Sequence, residues 1–222
     1  MAFFDEMANK SGQIIHFTSV STGDVVRFPA FITKFADDYS ISWGSQNIFG
    51  RVDPIKSYQS TGRRITAGFD IVGKDEPTAL INFMNYSKLI QMLYPVYSAP
   101  IGRNPKHRTI KAPPLFRIKY ANYIRSSASE HGLLGALQGV TFEPKFESGH
   151  FFTALGDPDD PNKPAGGEMV PLVYSMNMVF EPLHESAMGF DTNGVFLNKG
   201  FPYNMVSGSA VNRVPGSDPM EG

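Results

Sequence analysis

The residues of this chain that could do chemistry are five histidines, a short run of aspartates and a scatter of glutamates. The histidines are His16, His107, His131, His150 and His184. None is spaced i, i+4 from another, so no helix face offers a metal two imidazoles. Asp157, Asp159 and Asp160 carry the hard oxygens that calcium takes. The spacing and closing Glu of a calcium loop are missing, and Pro158 and Pro161 fit a rigid surface turn instead. Glu143, Glu147 and Asp191 could be imagined as a pair for glycoside hydrolysis, which needs two carboxyls about 5–10 Å apart. Their positions along the chain do not place two of them in one cleft. A phosphate-cradling Gly-rich loop ending in Gly-Lys-Ser/Thr is absent, as is a G-x-S-x-G nucleophile elbow. Ser207-Gly208-Ser209 falls where nothing would pre-organise a nucleophile. With no cysteine there is no disulfide and no thiolate site. The expectation is a protein without catalytic residues, metal or cofactor.

Composition points the same way. Hydrophobic residues make up 41% of the 222 and charged residues 18%, below the roughly 25% usual for soluble domains. Eighteen Phe and nine Tyr favour strands and interfaces. Composition alone fits two readings equally, a well-packed β domain or a surface partly covered by partners. The net charge of −1 gives no overall basic footprint for nucleic acid and no polybasic membrane patch. Basic residues cluster only locally, at Arg63-Arg64 and from Arg103 to Lys111. The opening MAFFDEMANKSG lacks the features of a signal peptide, and no stretch approaches the ~20 apolar residues that span a bilayer.

The elements that must position any site are mostly strands. Gln13 to Phe17, a turn at Ser21 to Asp24 and the run Val25 to Phe35 read as a hairpin, with Pro29 implying an edge or a bulge. Asp37-Asp38 offers a turn before a further strand from Tyr39 to Trp43. Between Arg63 and Val72, Ile65, Ala67, Phe69 and Ile71 share one face. From Pro171 to Leu183, Leu172, Tyr174, Met176, Met178 and Phe180 do the same. Leu115 to Tyr120 and Leu137 to Phe146 also alternate. One principal helix is expected over about 76–94, with Asp75 as N-cap, Pro77 in the first turn and Pro95 as the stop. Its apolar stripe would be Leu80, Phe83, Met84, Ser87, Ile90, Leu93 and Tyr94. Asp157 to Gly167 reads as a surface excursion inside a hairpin, and Ser98 to Pro114 as a loop. Residues 1–183 form the β-rich body, and 184–222 an irregular, extended C-terminal arm. Its aromatics are expected to dock on other subunits as far as Tyr203, with disorder beyond.

One stretch carries a resemblance. GRVDPIKSYQSTGRRITAGFDIVG, from Gly50 to Gly73, combines a Gly-Arg, a Pro, a Tyr, a small-residue turn, an Arg pair and an alternating strand. It resembles a pattern in baseplate and tail-tube-associated structural proteins of contractile-tailed bacteriophages. The helix, LYPVY, APPLFRIKY, GVTFEP and a closing strand follow in the same order. The resemblance covers roughly Ile41 to Leu183. It implies a virion structural component, of tube-initiator or wedge-connector type, made in the host cytoplasm and joining tail tube to baseplate. Its partners would be copies of itself and neighbouring tail proteins, with no sequence-specific nucleic acid and no membrane.

The expected fold is mainly β, a β-sandwich or β-barrel of tail-tube type crossed by one helix. The expected interface residues are Arg51, Tyr58, Arg63 and Arg64 around the amphipathic strand, and Phe190, Phe196, Phe201 and Tyr203 on the arm. Arg and Tyr combine contact area with hydrogen bonding; Arg63 and Arg64 could equally be charges that guard an edge strand. The competing readings are a virion-associated cell-wall hydrolase or carbohydrate-binding module, and a small-molecule-binding barrel.

Overall fold

A computed structural model describes residues 13–99, 108–127, 130–154 and 167–203. Six strands close into an antiparallel barrel: β1 (Ile14–Ser19), β2 (Val25–Gln46), β3 (Ile55–Val72), β10 (Val173–Pro182), β7 (Leu133–Pro144) and β6 (Leu115–Tyr120), in that order around the wall. The architecture is thus a barrel rather than a sandwich. Two short ribbons flank it, β4 (Val96–Tyr97) with β5 (Ile110–Ala112), and β8 (His150–Ala154) with β9 (Gly167–Pro171).

The two strands with the cleanest alternation are neighbours in register. Ile65, Ala67, Phe69 and Ile71 of β3 stand opposite Phe180, Met178, Met176 and Tyr174 of β10. All eight are buried. Small Ala67 faces long Met178, so the two walls interdigitate. Phe17, Phe28, Phe116 and Ile118 fill the barrel from β1, β2 and β6. Closure leaves these strands no free edge along the barrel wall, and the apolar faces turn away from water.

Pro29 sits where this topology can tolerate it. β2 pairs with β1 through Val25–Pro29 and with β3 only from Ala30 onward, so the missing N–H of Pro29 leaves no rung broken on the β3 side. The expected turn at Asp37-Asp38 does not form. β2 runs through it unbroken to Gln46, because the Asp37 carboxylate is held by Arg63 across the ladder and is not free to turn the backbone.

Helix α1 (Glu76–Met92) begins as expected: the Asp75 side chain accepts from the Thr78 N–H at 2.9 Å, and a Pro lies in the first turn. Its buried face differs from the expected stripe. Ala79, Asn82, Leu89 and Met92 are buried, whereas Met84 and Tyr94 are 62% and 69% exposed. The cause is close approach at Gly73, where an added Cβ would lie 2.6 Å from that of Ala79. Only a small residue fits that contact, and it sets the rotation of the helix. Tyr86 then stacks on Phe142, ring centres 4.0 Å apart, and Phe142 packs on Tyr174.

Tyr174 is fully buried and its hydroxyl has no hydrogen-bond partner among the described residues, while the Tyr120 hydroxyl donates to the Ala30 carbonyl at 3.1 Å. Burial pushes the Tyr174 phenol far above its ordinary range. The two positions should respond oppositely to loss of the oxygen. Tyr174→Phe is expected to stabilise the fold by about 1 kcal/mol and Tyr120→Phe to destabilise it by a similar amount, read from denaturant unfolding.

Candidate functional site

Beyond the barrel wall, β2 and β3 continue as a two-stranded ribbon. β3 pairs with β10 only from Ile65 onward, and β2 pairs with β1 only as far as Pro29. From Asp38 opposite Arg64 to Gln46 opposite Ile55, the two strands have only each other among the described residues. At about 3.3 Å per residue this arm projects roughly 25 Å. Both of its outer edges carry backbone donors and acceptors without strand partners, the arrangement that templates pairing with another chain.

The ribbon is also apolar where it meets water. Ile41, Trp43, Ile48, Ile55 and Tyr58 are exposed, and Phe49 and Val52 in the connecting turn are almost completely so. Trp43 and Tyr58 meet edge to face across the strands, centres 5.8 Å apart, and the Tyr58 hydroxyl bonds Thr61. Contiguous exposed apolar surface of this kind marks a contact site on a soluble protein.

A buried clamp fixes the root of the ribbon. Arg63 donates from Nε and Nη2 to the two Asp37 oxygens, at 2.9 and 2.7 Å, and the two side chains are 2% and 4% exposed. Tyr39 and Tyr203 each donate a hydroxyl to Asp37 Oδ2, at 3.2 and 3.1 Å. The guanidinium lies over the rings of Tyr39 and Phe201, at 5.5 and 5.3 Å. Asp37 therefore accepts four hydrogen bonds, and the cation is stacked on aromatic faces that shed water and favour it. The pair comes from two strands, and its seal comes from residues far along the chain.

The interface residues expected from sequence divide accordingly. Arg51 is exposed in the turn of the ribbon, and Tyr58 is on its flank. Arg64 is exposed and pairs with Glu181 at 2.7 Å. Arg63 is only 6% exposed and its guanidinium is engaged within the chain, on Asp37. Phe201 and Tyr203 pack on this chain's own clamp. Phe190 is exposed and packs edge-on against Phe196, which continues the contact to Phe201. Residues 184–203 therefore fold back over the ribbon root through turns, and the arm beyond Tyr203 lies outside the described residues. The structure adds Asp37, Tyr39 and Trp43 to the site. Only the aromatic content of β2 hinted at them, since Asp37 reads as a turn residue until its partner is known.

The residues considered for catalysis are spread apart in role. Glu143 faces outward from β7, Glu147 lies in the turn after it, and the Asp191 carboxylate accepts the backbone N–H groups of Asn193 and Val195. Asp157, Asp159, Asp160, His107 and Ser207 to Ser209 lie outside the described residues. Among the described residues no group of three His, Asp or Glu is placed to hold a metal. No helix among them is long and apolar enough to cross a membrane.

His184 packs edge-on against Phe201, ring centres 5.4 Å apart. Burial, and then the nearby Arg63, hold its imidazole below the ordinary 6.5. The docked arm thus takes up a proton less readily than the released arm. Docking is weakened as pH falls through the ordinary imidazole range and is fully present above it. Amide protection factors across 184–203, corrected for intrinsic exchange, should fall as pH drops from 7.5 to 5.5, and His184→Gln should remove most of that step.

No protein-family model matches the chain, and no curated protein matches it.

Proposed function

We propose that the chain is a structural subunit of a contractile bacteriophage tail, joining tail tube and baseplate through ring or connector assembly. The observation that carries this reading is the free-edged β2–β3 ribbon with its exposed Trp43, Phe49, Val52 and Tyr58. A barrel that needs only structural integrity gains nothing from such an arm, because unpaired edges and bare aromatics invite aggregation. A subunit that mates with neighbours needs both. The Gly50–Gly73 pattern that resembles tail proteins falls on the ribbon's turn and on β3, so the likeness and the exposed surface coincide. Its partners are copies of itself and adjacent tail proteins, and its place is the virion tail.

Templating is the mechanism. The clamp of Asp37, Arg63, Phe201 and Tyr203 holds the ribbon at a fixed angle to the barrel. An incoming strand then pairs with an edge already in position, and less ordering entropy is lost on assembly. Exposed aromatics also suit a carbohydrate-binding module. Trp43 and Tyr58 cross at 79°, however, and do not form one flat platform for stacking sugars. Mass spectrometry of tails purified from phage particles tests the reading: the chain should be present as a stoichiometric tail component. Its absence from tails, or binding of isolated protein to cell-wall glycans, would overturn it.

A further inference from the structure

On one stretch of the barrel wall an imidazole stands in register between two cations. His16 of β1 stands directly across from Arg27 of β2 and from Lys119 of β6. All three point outward, alternating with the buried Ile15, Phe17, Val26, Phe28, Ile118 and Tyr120. The next row sets Thr18 between Val25 and Arg117. Together with Ser19, Glu130 and His131 these side chains line an open basin of about 530 Å³. Among the described residues no carboxylate forms an ion pair with Arg27 or Lys119.

The same face shows which anion it takes. At its rim Arg117 holds the Glu185 carboxylate bidentately, Nη1 to Oε2 at 2.7 Å and Nη2 to Oε1 at 2.6 Å. Lys119 lies two residues along β6 from Arg117, and among the described residues neither it nor Arg27 forms an ion pair. Burial and then the charges of Arg27 and Lys119 hold the His16 imidazole below its ordinary range, so near neutral pH it is an uncharged hydrogen-bonding group between two cations.

We propose that the Arg27–His16–Lys119 row is a docking surface for a carboxylate-rich segment of a protein partner. With His16 between them, Arg27 and Lys119 lie two strand spacings apart, about 10 Å, within reach of two carboxylates on one short extended segment. A nucleic acid fits less well. The basin's lining has no Phe, Tyr or Trp on which bases could stack. This face is separate from the ribbon, so the proposal stands or falls independently of ring assembly.

The test uses the full chain, with a hexaaspartate peptide and a single-stranded oligonucleotide of matched charge as probes at low ionic strength. The peptide should bind, shift the His16 imidazole resonance and lose affinity as salt rises. Arg27→Gln with Lys119→Gln should weaken it at least 10-fold, while Lys199→Gln on the exposed arm leaves it unchanged. Three results would each overturn the proposal: no peptide binding, equal weakening by Lys199→Gln, or tighter binding of the oligonucleotide. The His16 shift in the unaltered chain supplies a reading even if the double variant folds poorly.

Discussion

Arg63→Met should destabilise the barrel by about 3–5 kcal/mol, measured by denaturant unfolding, because it strands the Asp37 carboxylate in the interior. Asp37 is nearly sealed and accepts from Arg63 twice and from Tyr39 and Tyr203 once each. The two hydroxyls cannot replace a cation. Asp37→Leu with Arg63→Met, which removes both charges, should cost much less than Arg63→Met alone, since nothing ionised is then left buried. Phe201→Ala opens one side of the cluster to water and should cost less than the single charge deletion. If Arg63→Met proved harmless, the clamp would be an ordinary surface pair worth at most about 1 kcal/mol.

Trimming the ribbon should separate folding from assembly. Joining Ser42 to Ser60 through Asn-Gly removes Trp43 to Gln59 and closes the strands with a two-residue turn suited to a twisted hairpin. The clamp and the barrel core lie outside the excision. Unfolding should remain cooperative, with a stability change within about 1 kcal/mol, because the deleted residues are exposed and bury little. Self-association should be lost. A trimmed chain that still assembles would show that the mating surface lies elsewhere.

Much of the barrel was legible because its strands obey a period of two with bulky residues on the buried face. Ile65 to Ile71 and Tyr174 to Phe180 are the clearest cases, and the structure pairs them. The helix was legible from Asp75, Pro77 and Pro95, but not its rotation. Apolar residues surround α1, so several stripes fit a period of 3.6, and only the contact between Gly73 and Ala79 chooses one. The site was less legible still. Asp37 carries turn chemistry in isolation, and its role depends on Arg63 across the ladder and Tyr203 on the returning arm. Arg63 and Arg64 look alike in sequence, yet the pleat turns one into the clamp and the other toward water and Glu181. The unpaired length of β2 and β3 is likewise a property of the topology, since a strand's edge is free only when its neighbours are too short to cover it.

The central claim is that the β2–β3 ribbon joins subunits. Size-exclusion light scattering of the unaltered chain across a concentration series, run beside the ribbon-trimmed chain, tests it most directly. The account predicts an oligomer of discrete mass, a whole-number multiple of the chain, that collapses to monomer on trimming. A monomer at every concentration, or an oligomer indifferent to loss of the ribbon, would contradict it.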